Sequence, residues 1–164
     1  MGKIRFGIVG TSNIANIFLR AASRVKDFEL VAVYSRNLEK AREFGTLYGA
    51  SIFDDLEQMA KSKDIDAVYI ASPNALHSKQ TITCLKHKKH VLCEKSLASN
   101  LKEVKSMIKT AKDNNVLLME AMRITCVPNF KAVKENLYKI GKIRRFLEAI
   151  VSILQDMINI KMEL

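Results

Sequence analysis

Tryptophan is absent, proline occurs only twice (Pro73 and Pro128), and 164 residues include just three histidines and three cysteines. The cysteines, Cys84, Cys93 and Cys126, form no CxxC pair and leave an odd count. A disulfide framework and a thiolate metal site are therefore not expected, and a reduced, cytoplasmic setting is the simplest reading. Cys84 and Cys93 sit among apolar neighbours and read as buried filler. No apolar run approaches the roughly 18 residues that a membrane helix needs, so no membrane span is expected. Met1 to Phe6 runs straight into a strand-like segment, so no signal peptide is expected either. Acidic residues are also in short supply: 17 stand against 27 Lys and Arg, for a net charge of +10. A basic stripe could serve a nucleic acid. The lysines are scattered, however, and the one tight cluster, Lys86 to His90, falls at an expected helix end, where cations suit the helix dipole. A solvated basic surface, useful toward an anionic cofactor, is the favoured reading, with no nucleic-acid partner.

Apolar periodicity is plentiful. Strand-like runs occur at Lys3–Val9, Glu29–Tyr34, Ser51–Phe53, Asp66–Ala71, His90–Cys93 and Val116–Glu120. Helical spacing separates them at Asn13–Val25, Asn37–Tyr48, Asp54–Lys61, Leu76–His87 and Asn100–Asp113, with Asn37 as an N-cap. Strands alternating with helices predict an α/β fold, a doubly wound parallel sheet of Rossmann type. A further helix is expected over Pro128–Tyr138, closed at Gly141. Residues 147–164 place Leu147, Ile150, Val151, Leu154, Met157 and Ile158 at helical spacing, an amphipathic tail outside the alternating pattern. The expected organisation is a Rossmann domain over 1–122, a connecting helix and domain boundary over 123–146, and the tail over 147–164.

Four segments carry candidate chemistry, each at the carboxyl end of a strand, where doubly wound sheets bind ligands. The first is Gly10-Thr11-Ser12-Asn13-Ile14-Ala15, a G-x-G-x-x-G/A fingerprint with serine at the second glycine. Gly10 allows the tight turn, small Ala15 allows close helix–strand packing, and the helix N-terminus offers N–H groups to a pyrophosphate. Ser12 narrows the gap to a phosphate, although its hydroxyl could donate to one. The plainer alternative is an ordinary strand-to-helix turn. The second is Ser35-Arg36, about 20 residues further on, where an NAD site usually carries an acid for the ribose 2′-OH. Arg36 suits a phosphate instead, so NADP is expected over NAD, with NAD still open. The alternative is a solvated loop arginine.

The third segment is Ser72-Pro73-Asn74 with His77, a candidate cofactor-lining turn. Asn74 as a helix N-cap and His77 as a capping or core histidine are the alternatives. The fourth is Glu94-Lys95-Ser96. A lysine desolvated in a crevice can act as a general acid or base, with Glu94 to orient it. The alternative is a surface ion pair, which contributes little.

Five pieces in order, FGIVGTSNIA, VAVYSRNLEKA, DAVYIASPNALH, HVLCEKSLA and LLMEAMR, resemble the Gfo/Idh/MocA oxidoreductase family over about residues 3–145. The resemblance implies an NAD(P)-binding Rossmann domain followed by an α/β domain with a large open sheet. It implies hydride transfer between nicotinamide and a sugar, polyol or related alcohol or ketone. Lys95 falls on the lysine of the family's E-K-P motif, which implies substrate binding and movement of the hydroxyl proton. Glu94 falls on the motif's glutamate. Gly10, Thr11, Ser12, Asn13 and Ile14 fall on the pyrophosphate turn, Ser35 and Arg36 on the adenosine-ribose site, and Ser72, Pro73, Asn74 and His77 near the nicotinamide ribose. No metal site is implied.

Two departures stand out. Ser96 replaces the motif's proline, and the family's second domain would begin near Lys142. One explanation is a frame shift near Phe146. Read from the third base of each codon, Met157–Ile158 must encode aspartate and Met162–Glu163 glycine, as the opening of a bacterial second domain would require. The alternative is a tail evolved for docking or dimerisation. The chain alone is then expected to bind dinucleotide without turnover and to expose apolar surface that favours self-association. A non-enzymatic dinucleotide-binding or assembly module is the competing function.

Overall fold

A computed structural model describes residues 2–142. Contacts divide the chain into two units, Met1–Met122 and Arg123–Leu164. The expected amphipathic helix over 147–164 lies outside the described residues.

The first unit alternates strand and helix throughout: β1 (Ile4–Val9), α1 (Asn13–Ala22), β2 (Phe28–Tyr34), α2 (Leu38–Tyr48), β3 (Ser51–Phe53), α3 (Leu56–Lys61), β4 (Ala67–Ile70), α4 (Asn74–Lys86), β5 (His90–Cys93), α5 (Leu101–Asp113) and β6 (Leu118–Glu120). The six strands form one parallel sheet in the order β3-β2-β1-β4-β5-β6. Each helix buries one apolar stripe on the sheet, and the two faces make two cores. Ala15 and Leu19 of α1 and Ala41 and Phe44 of α2 pack over Ile8, Val33 and Tyr69. Met59, Cys84, Leu85 and Ala111, from α3, α4 and α5, pack over Val9, Val68, Ile70 and Val91 on the other face. β4 is buried along its whole length, as a central parallel strand should be.

Helix ends follow local chemistry. Asn37, Asp55 and Asn100 each accept a hydrogen bond from a first-turn N–H of α2, α3 and α5. Gly49 ends α2 at φ 66°, the left-handed conformation that a C-cap favours. Some expected boundaries move. α1 ends at Ala22, three residues early, and α4 begins at Asn74, with Pro73 as its N-cap. Asn74 is thus not the N-cap that the sequence allowed, and no side chain caps α4.

In the second unit, a 3-10 turn (Arg123–Cys126) precedes α6 (Pro128–Asn136), and a second 3-10 turn (Leu137–Ile140) precedes Gly141. The single helix expected over Pro128–Tyr138 is therefore split at Leu137. Proline in the first turn of α6 needs no N–H partner there. Among the described residues of this unit none is buried.

Candidate functional site

β1 and β4 are neighbours at the centre of the sheet, and the chain leaves them in opposite directions, toward β2 on one side and β5 on the other. This reversal opens a crevice at their carboxyl ends. A cleft of 350 Å³ lies there. Its floor is Val9, Gly10, Thr11 and Ser12; one wall is Tyr34, Ser35, Arg36, Asn37 and Lys40; the other is Ala71, Ser72, Pro73, Leu76 and Gln80. A second hollow of 320 Å³ shares Tyr34, Arg36, Leu76 and Gln80 with it and extends to Lys79 and Thr83. A larger depression of 520 Å³ lies among Leu19, Phe28, Tyr48 and Asp64, away from every strand carboxyl end that carries a motif.

Gly10 makes the floor possible. Its φ is 102°, and a Cβ there would lie 2.7 Å from the carbonyl oxygen of Ala71. Only glycine permits both the conformation and the approach of β1 to the end of β4. Ser12 is the N-cap of α1, yet its side chain makes no cap bond. Its hydroxyl donates instead to the Ala71 carbonyl at 3.1 Å. The serine thus fastens the turn to β4 and leaves the first turn of α1 without side-chain competition for an anion. α4 is likewise uncapped by side chain, whereas α2, α3 and α5 are capped by their own residues.

Opposite that turn, Arg36 and Lys40 bring two cations to one wall. Among the described residues neither forms an ion pair. In the sequence Lys40 is legible only as a first-turn residue of α2. Its N–H is held by the Asn37 side chain at 3.1 Å, and the Asn37 N–H by the Ser35 hydroxyl at 3.2 Å. The short Ser35–Lys40 turn is therefore built by its own polar residues, with both cations left available.

Of the expected site residues, Gly10, Thr11, Ser12, Ser35, Arg36, Ser72 and Pro73 line the cleft; Asn13, Ile14, Asn74, His77, Glu94 and Lys95 do not. Gln80 and Leu76 line it without having been expected. Gln80 accepts a hydrogen bond from the Ser72 hydroxyl, at 2.5 Å. His77 is fully buried, with Nε2 2.9 Å from the Ser72 carbonyl oxygen and Nδ1 2.8 Å from that of Ser96. The core-histidine alternative describes its burial, but both of its ring nitrogens face main-chain carbonyls.

Lys95 is exposed and Glu94 half-buried, at the carboxyl end of β5. The carboxylate of Glu94 does not pair with the Lys95 ammonium. It accepts the phenol of Tyr69 at 2.5 Å and the main-chain N–H of Lys95 at 3.2 Å. Glu94 therefore holds the loop and not the side chain, and the surface ion pair is absent. Burial and the nearby carboxylate push the Tyr69 phenol well above its usual pKa, so it stays a donor. The Lys95–Ser96 peptide is cis.

The basic cluster before β5 does sit at the end of α4, with Lys86, Lys88 and His90 exposed, but one member departs from the solvated reading. Lys89 is buried, and its ammonium donates to the carbonyls of Ser62 at 2.6 Å and Ile65 at 2.7 Å. Cys84 and Cys93 are buried thiols, and burial pushes Cys84 up to about 12 and Cys93 up to about 11. Neither is a ready nucleophile. No group of three metal-ligating side chains occurs among the described residues, and no described helix is long and apolar enough to cross a membrane.

Residues 4–122 match the family model GFO_IDH_MocA, described as an oxidoreductase family with an NAD-binding Rossmann fold. The scyllo-inositol 2-dehydrogenase (NADP(+)) IolU of Bacillus subtilis (strain 168) is 55% identical over 144 residues, 87% of this chain and 44% of the relative. The trans-1,2-dihydrobenzene-1,2-diol dehydrogenase of Xenopus laevis is 35% identical over 79% of this chain and 40% of its own length. Among solved structures, KijD10, a 3-ketoreductase from Actinomadura kijaniata in complex with NADP and TDP-benzene, superposes with a TM-score of 0.79 at 28% identity. It is matched over 84% of this chain and 43% of its own. The WlbA dehydrogenase from Bordetella pertussis, in complex with NADH and UDP-GlcNAcA, gives 0.81 at 29% identity, over 88% of this chain and 43% of its own. The chain thus spans less than half the length of these relatives.

Proposed function

The chain belongs to the Gfo/Idh/MocA oxidoreductase family, and from that premise we propose that it is the dinucleotide-binding part of an NADP-preferring dehydrogenase of polyols or cyclic diols. The observation that carries the reading is the cleft between β1 and β4, with a glycine-only turn on its floor and two cations on its wall that form no ion pair among the described residues. Main-chain N–H groups of Asn13 and Ile14 at the uncapped start of α1 would take the pyrophosphate. Ser35, Arg36 and Lys40 would take the 2′-phosphate, which NAD lacks. Ser72 and Pro73 would line the nicotinamide end.

The nicotinamide, when bound, supplies or accepts the hydride. Lys95, one strand away from the cleft wall, would hold the substrate oxygen and move its proton. Glu94 and Tyr69 keep the main chain of Lys95 in place for that task. The inositol and dihydrodiol names of two relatives support a ring substrate bearing neighbouring hydroxyls. Residues 1–164 on their own are expected to bind NADPH and to oxidise no polyol. An exposed Lys95 is strongly hydrated and lacks the dry, positioned surroundings that proton transfer to a bound substrate needs.

Fluorescence titration of the chain with NADPH and NADH tests this. Saturable NADPH binding at least about tenfold tighter than NADH is expected from one or two charge-assisted hydrogen bonds to the phosphate. Equal or tighter NADH binding would refute the role given to Arg36 and Lys40. No binding of either would refute the dinucleotide reading altogether.

A further inference from the structure

Lys95 and the cofactor cleft are separate in the fold: one follows β5, and the other lies between β1 and β4. One side chain joins them. His77, on the first turn of α4, has no exposed surface and spans the gap between two main-chain carbonyls. The Ser72 carbonyl belongs to a residue that lines the cleft, and its hydroxyl is tied to Gln80, which also lines it. The Ser96 carbonyl belongs to the residue after Lys95. A neutral imidazole donates to one carbonyl at a time, and its protonated form donates to both. In either state, moving the turn at Ser72 disturbs a buried hydrogen-bonded group whose other contact is the lysine loop. That loop has further anchors: Glu94 to Tyr69, and the Leu97 N–H to the Glu120 carboxylate at 2.9 Å. His77 is the anchor that reaches a residue of the cleft.

We infer that His77 is a positioning residue that transmits occupancy of the cleft to the placement of Lys95. The inference rests on the proposal that the cleft holds a dinucleotide. A dinucleotide settling against Ser72 and Pro73 firms the Ser72 carbonyl, and the ring passes that restraint to Ser96 and so to Lys95. His77 need not touch cofactor or substrate.

Hydrogen–deuterium exchange of the full chain, with and without NADPH, tests it. In the unaltered protein, NADPH is expected to slow exchange at residues 10–14 and 72–77. It should also slow residues 94–97 by about fivefold or more, the lower end of ordinary coupling between sites. In His77→Phe the protection at 10–14 should persist and that at 94–97 should vanish. His77→Gln, whose side-chain N–H groups can still donate to a carbonyl, should restore part of it. If His77→Phe does not fold, the Gln variant carries the test through a reduced response at 94–97 alone. Protection at 10–14 with none at 94–97 in the unaltered chain overturns the inference and leaves the cofactor reading intact, and so does full protection at 94–97 in every folded variant. Absence of protection at 10–14 overturns the cofactor reading, and the inference with it.

Discussion

The two edges of the sheet use the same residue types to opposite ends. At the amino edge, around the starts of β1, β4 and β5, two cations, Arg5 and Lys89, are spent internally. Arg5 meets Asp66 at 2.8 Å and Asp64 at 3.6 Å and donates to the Lys63 carbonyl, while Lys89 is buried against the carbonyls of Ser62 and Ile65. At the carboxyl edge, Arg36, Lys40 and Lys95 form no ion pair among the described residues. A positive side chain with its partners built in holds the fold together. One left open, beside a turn that a Cβ would block, is available to an anionic ligand. Net charge alone hides this difference, because both kinds of cation count equally in the total.

The contrast predicts that changes at the carboxyl edge move ligand binding and changes at the amino edge move stability. The largest effect should come from Gly10→Ala. Its φ of 102° and the 2.7 Å approach to Ala71 cannot both survive. Strain of about 1–3 kcal/mol is expected, and NADPH binding should fall by at least about tenfold as the turn is displaced. A thermal melt and a titration on the same sample read both. This variant touches both properties, because the floor of the cleft is also a strand junction.

Arg36→Ala should separate them. Loss of charge-assisted bonds to a 2′-phosphate, about 1.5–3 kcal/mol, should weaken NADPH by about 10- to 100-fold. The melting temperature should stay within a degree or two, since Arg36 is exposed and bonded to no described residue. NADH affinity should stay nearly constant. Parallel losses for NADPH and NADH would break the comparison at this edge. Lys89→Met is the mirror experiment. It keeps the aliphatic stem and removes the donor, leaving the carbonyls of Ser62 and Ile65 without it. A cost of about 1–3 kcal/mol in denaturant melts is expected, with NADPH affinity unchanged.

Much of this architecture is legible in the sequence, for a physical reason. Strand and helix periods, the Asn37 cap and the Gly10 turn are local, and their signals lie within a few residues. The six strands and their alternation with helices follow from them. Contact across the fold is what local patterns do not display. Lys89 reaches Ser62 over 27 positions, and Tyr69 reaches Glu94 over 25. No pattern within either segment announces its partner. Lys40 is hidden differently: a lysine on the first turn of a helix reads as solvated until the sheet places that turn over the cleft. His77 stands out in the sequence through its neighbours at the end of β4, but its link to Ser96 spans 19 positions and has no local sign. The split of α6 at Leu137 shows the limit of helical spacing where none of the second unit's described residues is buried, since apolar period alone does not hold a last turn in α geometry.

The smallest predicted effect bears most directly on the amino edge. Arg5 holds the Asp66 carboxyl below its usual pKa, first through the side-chain hydrogen bonds and then through its own main-chain N–H. A carboxylate whose pKa is lower folded than unfolded stabilises the fold above its unfolded value, about 3.9. That contribution disappears as pH falls through the lower, folded value. The Asp66 side chain is 38% exposed, so solvent screens much of the pairing, and Asp66→Asn should cost less than about 1 kcal/mol at neutral pH. Its signature is the shape of the curve more than the size. The unaltered protein should lose stability as pH falls through the unfolded carboxyl value and on through the lower folded one, and the variant should lose less of it there. NADPH affinity at neutral pH should be the same for both, because the pair lies at the far edge from Arg36. A variant with the full acid transition would mean that other carboxylates set it, and that the Arg5–Asp66 pair contributes geometry to the start of β1 and β4 without contributing appreciable free energy.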